Sequence, residues 1–401
     1  MLIPHICSMK KLFIAIGVVG LALSASAQNK IVDKFGKGIS VLGKDSTFFL
    51  KANTRIQNRF DFERTDNNSS DPEDISRFYV RRARIKFGGW AFSPKLKFKI
   101  EHDVLNGVTY DAVVKYNFYK NLEIWAGQTK LPGNRERVIS SQKLQFVDRS
   151  LLNTVFTLDR DAGIQLRNKH KVGKAVFKEV LAISQGEGLN DKKYRSWGHE
   201  YTGRLEFLPF GEFTSKGDYF GSDLKRETTS KLALGLTYDY NENQTKSRKV
   251  KGQDLYDDVY VMSIFFDFMY KYKGFSLMGE YANADVDGSR ATTGINDNGT
   301  DYTSADDYTE TIFFQAGEGI NLQAGYLFKN NVEVAGRFSA YKPFDNVEGY
   351  AGQNQFTLGL SKYVVGHSLK VQSDFTFAQT ETSGSVYSND LILRLQVELA
   401  F

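Results

Sequence analysis

The chain has 401 residues, a formal net charge of +5 and a mean hydropathy of −0.38. It contains 21 Tyr, 31 Phe and 35 Gly but only six Pro, and its single cysteine is Cys7. One cysteine excludes a fold held by disulfides. The small net charge does not indicate a uniformly basic nucleic-acid-binding protein.

The N-terminus has the three parts of a secretory signal peptide. Within Met9–Ala27, two lysines precede an apolar run, Leu12–Leu23, and the stretch ends in Ala-Ser-Ala. The run is about a dozen residues, whereas a transmembrane helix needs about twenty. We predict a signal peptide over residues 1–27, translated from Met1 or from Met9, with cleavage before Gln28. No later window has twenty apolar residues.

The mature chain has an uneven charge distribution. Residues 28–210 contain 33 Lys and Arg against 21 Asp and Glu, a net charge of +12. Residues 211–401 contain 17 basic and 26 acidic residues, a net charge of −9. The fold must therefore accommodate a basic N-terminal part and an acidic C-terminal part of the chain.

Residues 28–46 show no periodicity and are predicted to be an N-terminal segment in the periplasm. Alternation begins in Phe48–Glu63, where mostly apolar residues occupy the even positions and mostly charged or amide residues the odd ones. Such a period of two indicates a β-strand between two different environments. In a transmembrane barrel the polar face lines a water-filled interior.

Sixteen segments show this alternation or match it in length. They lie near residues 48–63, 79–87, 96–101, 111–118, 122–129, 161–168, 174–184, 199–208, 231–241, 257–270, 275–282, 319–328, 331–341, 353–362, 368–378 and 389–401. An even number of strands of roughly ten residues indicates an all-β fold, a transmembrane antiparallel β-barrel over residues 47–401. Its final strand ends on Phe401, as is typical of the sorting signal of outer-membrane barrels, so we predict export through the periplasm to the outer membrane.

The connections between these segments alternate in length. Short turns, one of them predicted at Ser93-Pro94, alternate with long polar loops at 64–76, 185–198, 242–256, 283–310, 342–352 and 379–388. The connection 209–230 is too long for a turn, and a small hairpin within it would change the strand count.

The longest basic connection is Lys130–Arg160, which follows the fifth predicted strand. It has six Lys and Arg against three acids, and we predict that it folds into the lumen. The candidate constriction residues in it are Lys130, Arg135, Arg137, Lys143, Asp148, Arg149 and Arg160.

The predicted inner face of the first six strands is also rich in cations. An anion in a narrow pore loses hydration, and fixed cations replace it. Arginine suits phosphate because its planar fork donates two hydrogen bonds, whereas lysine is a point charge. The candidate pore-wall residues are Lys51, Arg55, Arg59, Arg82, Arg84, Lys86, Lys97, Lys99, Lys115 and Arg167. Acids share this face, so ordinary ion pairing in a weakly selective pore is the alternative.

Other residue clusters indicate no further chemistry. The acidic loop 283–310 begins like a calcium loop, but Gly294 stands where a bidentate glutamate is needed. The histidines lack metal-ligand spacing, and Ser140 and Ser141 have no histidine near in sequence. We predict no metal, cofactor or catalytic residue. Several aromatic residues, among them Tyr79, Trp90 and Trp125, are predicted to form an interfacial girdle.

Three blocks resemble the phosphate-selective porin O/P family, in the form found in Bacteroidetes-type bacteria. They are RFYVRRARIKFGGWAFSPKLKFKIEHD (77–103), SSQKLQFVDRSLLNTVFTLDRDAGIQL (140–166) and GDYFGSDLKRETTSKLALGLTYDYN (217–241). The resemblance covers nearly all of the mature chain. It implies a sixteen-strand homotrimeric porin whose third extracellular loop forms a constriction at Lys130–Arg160. Within this region, residues at family-like positions are Lys143, Asp148, Arg149, Arg160 and Asp161.

The main functional hypothesis is an outer-membrane porin, a diffusion channel that prefers anions, with phosphate or polyphosphate as favoured solute. Its partners would be small anions, outer-membrane lipid and two further copies of the chain, and not nucleic acid. The first alternative is a weakly selective general or small-sugar porin with paired lumen charges. The second is a barrel enzyme such as a lipid hydrolase, for which the sequence shows no nucleophile beside a histidine.

Overall fold

A computed structural model describes residues 30–33, 35–66, 72–190, 198–249, 251–287, 313–345, 347–382 and 386–401. The predicted signal peptide and most of the acidic loop 283–310 lie outside these residues. No helix in the described part of the chain is long and apolar enough to cross a bilayer.

The fold is a closed antiparallel β-barrel preceded by a short hairpin. The strands are β1 (Lys30–Asp33), β2 (Ile39–Leu42), β3 (Phe48–Asp66), β4 (Glu73–Ala91), β5 (Ser93–Asp103), β6 (Val108–Tyr119), β7 (Leu122–Lys130), β8 (Arg160–Val172), β9 (Ala175–Ser184), β10 (Glu200–Leu208), β11 (Lys231–Arg248), β12 (Lys251–Tyr272), β13 (Phe275–Asp287), β14 (Gly317–Leu327), β15 (Val332–Pro343), β16 (Gln353–Val365), β17 (Leu369–Thr382) and β18 (Val386–Ala400). From β3 to β18, each strand pairs with the next. These sixteen strands correspond one to one with the predicted segments, which confirms the predicted fold class.

The barrel closes where β18 pairs with β3. The register aligns Leu399 with Ile56 and Leu393 with Phe62. Directly after β18, the amide of Phe401 donates to the carbonyl of Thr54 at 3.1 Å, and the amide of Thr54 donates to the carbonyl of Phe401 at 2.7 Å. The aperiodic N-terminal segment contains β1 and β2, two strands that the sequence pattern did not predict. Strand β2 pairs with the first residues of β3.

Several connections differ from the prediction. Residues 242–256, predicted to be a polar loop, mostly extend β11 and β12, and the side chains of Gln244, Thr245 and Lys249 are buried. The Nζ of Lys249 lies 3.0 Å from a carboxylate oxygen of Asp239 on β11, so this hairpin tip turns inward. The turn predicted at Ser93-Pro94 lies one residue earlier, at Phe92, which has a φ of 64°.

Inner and outer faces alternate as predicted along β3. Arg55, Gln57, Arg59 and Asp61 are buried, whereas apolar residues between them point outward. A bulge at Arg81 then shifts the alternation along β4.

Because of this bulge, Gln57 pairs with Arg82 but Asn58 pairs with Val80. Phe78 consequently points outward and is 83% exposed. Tyr79 points inward and donates its hydroxyl to Asp61 at 2.6 Å. The placement of Tyr79 in the aromatic girdle is therefore wrong.

The connection between β7 and β8 contains two short helices, α1 (Arg135–Val138) and α2 (Leu151–Val155). The side chain of Ser150 caps α2 by accepting from the amide of Asn153. Apolar residues of this connection, including Leu152, Phe156 and Leu158, pack against inward-facing residues of β9, β12, β13 and β15. This side of the lumen therefore contains a hydrophobic core.

Candidate functional site: a basic cavity beside the inward loop

We call residues 131–159 the inward loop, the inner faces of β3–β8 the basic half, and those of β9–β17 the acidic half. Buried polar contacts fix the inward loop to the acidic half. The Nε of Arg135 donates to a carboxylate oxygen of Asp267 on β12 at 2.9 Å, and a second guanidinium nitrogen lies 3.5 Å from Glu206 on β10. The side chains of Arg135 and Asp267 are fully buried. Desolvation lowers the pKa of Arg135, but the charges of Glu206 and Asp267 outweigh this effect and raise it above its usual value.

Backbone groups of the inward loop also bind acids of this half. The amide of Glu136 donates to a carboxylate oxygen of Glu280 at 2.7 Å, and the amide of Val147 donates to Asp374 at 2.9 Å. The side chain of Gln145 donates to Glu333 at 2.8 Å. The acidic half thus serves as a binding surface for the loop.

On its other side, the inward loop faces the basic half across a cavity of about 310 Å³. Nine cations line this cavity against three acids, Glu101, Asp103 and Asp159. The cations are Arg81, Arg82, Arg84, Lys86, Lys99, Lys130, Arg137, Arg149 and Arg160. We call this space the basic cavity.

The acids of the cavity each contact at least one cation. A guanidinium nitrogen of Arg84 lies 3.1 Å from Glu101, and its Nε lies 3.4 Å from Asp103. Asp159 forms ion pairs with Arg137 and Arg160. Asp111 also pairs with Lys99 and Arg160, but the cations that line the cavity still outnumber the acids that contact them.

Two of the cavity's cations are oriented by neutral carbonyl groups. The Nζ of Lys130 donates to the carbonyls of Arg137 at 2.6 Å, Ile139 at 3.0 Å and Val138 at 3.3 Å. Arg149 donates to the carbonyls of Ile139 at 2.8 Å and Glu136 at 3.2 Å. Carbonyl partners hold these side chains in place without cancelling their charge.

Asp148 connects the inward loop to the basic half. Its carboxylate forms an ion pair with Arg59 and lies 3.7 Å from Arg82. Burial raises the pKa of Asp148, but the charges of Arg59 and Arg82 outweigh this effect and hold it well below its usual value. Asp148 therefore remains ionised and reduces the positive potential beside the cavity.

The remaining candidate residues lie elsewhere. Arg135, in the inward loop, is bound to the acidic half through Asp267. Lys143 lies on the turn side of the loop, with its Nζ 3.8 Å from the centre of the Phe220 ring, in a separate cavity of about 640 Å³. Arg55 donates to the hydroxyl of Ser141, which lines the basic cavity. The others, Lys51, Lys97, Lys115 and Arg167, lie nearer the short-turn end of the basic half.

Two cavity residues escaped the sequence analysis. Arg81 is the bulged residue of β4, and the adjacent pair Arg81-Arg82, which interrupts strict alternation, was the available signal. Tyr110 lies at a second bulge, with the guanidinium carbons of Arg84 and Arg160 at 4.0 and 4.8 Å from its ring centre. Its ring packs between two cations that line the cavity.

A second segment, residues 209–230, folds inward from the short-turn end. It is described throughout and contains a 3-10 turn at Gly217–Tyr219 but no hairpin, so the count of sixteen holds. The buried Nζ of Lys271 on β12 donates to the carbonyls of Gly217, Phe220 and Ser222 at 2.8 Å each. The amide of Gly221 donates to the carbonyl of Lys143 at 2.8 Å, which joins this segment to the inward loop.

A closed even-numbered barrel with an apolar outer face and a polar inner face is the architecture of an outer-membrane porin. The family model for phosphate-selective porin O and P matches residues 51–401, and the chain belongs to this family. This membership identifies a channel protein of the outer membrane and not an enzyme. No curated protein sequence matches the chain.

Solved porin structures share the fold at low sequence identity. The anion-selective porin from Comamonas acidovorans has a TM-score of 0.55 and 11% identity, covering 88% of this chain and 99% of that one. The outer membrane channel DcaP of Acinetobacter baumannii has a TM-score of 0.54 and 13% identity, covering 90% of this chain and 99% of that one. These similarities concern the fold alone.

Proposed function

We propose that the protein forms a water-filled diffusion channel that prefers anions, with phosphate and polyphosphate as favoured solutes. The observation that supports this most is the excess of nine cations over three acids around the basic cavity. Membership of a family described as phosphate-selective supports the proposal, as does the fold shared with an anion-selective porin.

The physical argument is one of replaced hydration. An anion entering the cavity gives up water, and oriented arginine and lysine side chains supply charge and hydrogen-bond donors in its place. Arg82, Arg84 and Arg149 offer planar forks suited to the oxygens of phosphate. Because these cations come from both the wall and the inward loop, an anion would contact both while passing.

Reversal potentials in planar bilayers under a KCl gradient test the preference for anions. Arg149→Gln removes a cavity charge and is expected to shift the reversal potential towards cations. Arg64→Gln is the matched control, because Arg64 is an exposed arginine that pairs with Asp74 at 2.6 Å. It should leave the potential unchanged. Cation selectivity of the unaltered protein would overturn the proposal.

Phosphate preference has its own test, the inhibition of chloride current by phosphate. We expect millimolar phosphate to reduce the current and Arg82→Gln to weaken this inhibition.

The second candidate function, a weakly selective or small-sugar porin, is favoured by the ion pairs that Glu101, Asp103 and Asp111 form with wall cations. Chloride current that phosphate leaves unchanged would support it.

We also propose a homotrimer. The outer membrane protein OmpT of Vibrio cholerae has been solved in a trimer form, and it shares the fold with a TM-score of 0.50 at 10% identity. A folded trimer should migrate as a high-mass band on a gel and become a monomer on boiling. A monomeric mass in mild detergent, measured by light scattering, would contradict this.

A further inference from the structure

A row of cations and tryptophans crosses the basic half near its short-turn end, below the basic cavity. Cross-strand pairs connect Trp90 to Lys97, Lys97 to Lys115, and Lys115 to Trp125. Arg167 lies on the next strand, where the backbone register places it opposite Glu123. We call these five residues, Trp90, Lys97, Lys115, Trp125 and Arg167, the cation–tryptophan row.

The row faces the lumen and not the lipid. Lys115 shares its face of β6 with Asp111 and Val113, which are buried inside the barrel. Arg167 shares its face of β8 with Gln165, whose side chain is buried and donates to the backbone of Lys130. Trp125 contacts Lys115 and Arg167, and Trp90 lies opposite Lys97 on the same face of the sheet. The assignment of these two tryptophans to a lipid-facing girdle is therefore wrong.

Little negative charge compensates the three cations. Lys97 and Lys115 lie directly opposite one another, an arrangement of like charges that destabilises a sheet. Lys97 forms one long ion pair, 3.9 Å from Glu123. Neither Lys115 nor Arg167 forms an ion pair with any other described residue. A position of this kind gains stability when an anion binds to it.

Trp125 orients two of the cations. The Nζ of Lys115 lies 3.4 Å from the centre of its ring system and the guanidinium carbon of Arg167 lies 4.0 Å from it. The indole nitrogen donates to Glu123 at 2.8 Å, which fixes the ring plane. A guanidinium that lies over one aromatic ring can stack a second planar group on its opposite face.

We propose that the cation–tryptophan row is a second solute-binding site, specific for anions attached to a planar ring, such as aromatic carboxylates. The carboxylate binds between Lys97 and Lys115, and the ring stacks on the guanidinium of Arg167. This inference rests on the proposed channel function, because solute must reach the row through the lumen. It extends that function from small inorganic anions to a class of organic ones.

The test compares two anions of equal charge and similar size. Benzoate is planar and aromatic, whereas cyclohexanecarboxylate is neither, so only benzoate can stack. Each is titrated into a bilayer containing the channel, and the concentration that halves the chloride current is measured. We expect benzoate to act at a concentration about fivefold lower, the factor that one stacking interaction of this kind gives. Equal concentrations for the two anions would overturn the proposal.

Variants locate the site. Trp125→Leu keeps every charge of the row but removes the ring that orients Lys115 and Arg167, so it should abolish the difference between the two anions. Lys115→Gln should weaken inhibition by both anions. Lys120→Gln is the control, because Lys120 lies at the tip of the following turn, over the ring of Tyr119. It should change neither.

The design separates this proposal from the channel proposal. Anion selectivity in KCl with no preference for benzoate would reject the row as a site while leaving the channel proposal intact. Cation selectivity in KCl would reject the channel proposal directly. A preference for benzoate that persists in Trp125→Leu would place aromatic recognition elsewhere and overturn the role of the row.

Discussion

The two halves of the barrel's inner wall have the same backbone geometry but different partners. The acidic half binds the inward loop through buried pairs such as Arg135–Asp267 and through an apolar cluster around Leu152. The basic half faces a cavity and keeps its cations in contact with carbonyls, acids and open space. An inward-facing strand position can therefore serve either as core or as pore lining, and the loop decides which.

This comparison accounts for the charge difference between the two parts of the sequence. The excess of acids in residues 211–401 includes Asp267, Glu280, Glu333 and Asp374, which bind cations or polar groups of the loop. The excess of bases before residue 211 includes the wall and loop cations around the basic cavity. The two charge excesses therefore have separate places, one in fixing the loop and one in lining the basic cavity.

The largest effect is expected from breaking the buried contact between loop and wall. Asp267→Asn leaves the buried guanidinium groups of Arg135 and Arg204 without their shared carboxylate. Loss of one partner of a buried ion pair costs about 3–5 kcal/mol, so the free energy of unfolding in urea should fall by that amount. Asp74→Asn is the control, because its pair with Arg64 is exposed. Equal stability of the two variants would contradict a structural role for the acidic half.

The next effect concerns the segment 209–230 beneath the loop. Lys271→Met removes three hydrogen bonds to buried carbonyls and should release this segment, because each unmet carbonyl is costly to bury. We expect single-channel recordings to show larger and more variable conductance. Lys273→Met is the control, since Lys273 is an exposed turn residue close by. Recordings of Lys271→Met that match the unaltered channel would show that the segment does not depend on this lysine.

A smaller change of opposite sign to Arg149→Gln is expected at Asp148. Asp148→Asn removes the carboxylate that pairs with Arg59 and Arg82, which raises the net positive charge beside the basic cavity. The reversal potential in a KCl gradient should move further towards anions. A shift towards cations would mean that displacement of the loop outweighs the gain in charge.

The smallest effect is a pH dependence at Lys143. Burial, with the charges of Lys86, Lys216 and Lys37, lowers the pKa of Lys143 to about 8. Its charge is therefore present below that pH and lost above it, so anion preference should decline slightly as pH rises from about 6.5 to 9.5. The reversal potential of Lys143→Met should change less over this range. An equal decline in both proteins would assign the titration to another group.

The sequence predicted the barrel well because lipid on one face and polar groups on the other impose a period of two on every strand. The basic insertion Lys130–Arg160 was also recognisable, since no turn needs its length. Periodicity does not show which half of the lumen the insertion occupies. Arg135 and Arg149 therefore look equivalent in the sequence, although one is buried against Asp267 and the other lines the cavity.

Local irregularities account for most of the other differences. The bulge at Arg81 reverses the faces of the residues before it, and alternation alone places Tyr79 on the wrong side. Tryptophan near a strand end usually indicates the membrane interface. Only the contacts of Trp125 with Lys115 and Arg167 show that this one faces the lumen.

The seam between β3 and β18 has a consequence for how the protein assembles. Gln57 and Glu398 form a hydrogen bond across it although they lie 341 positions apart, whereas elsewhere in the barrel the strands β3 to β18 pair in the order of the sequence. Closing so long a segment has the greatest entropic cost of any step in forming the wall. The hairpins can form one after another as the chain meets the membrane, and the seam should form last. Until then β3 and β18 are open edges, which are prone to pair with other chains.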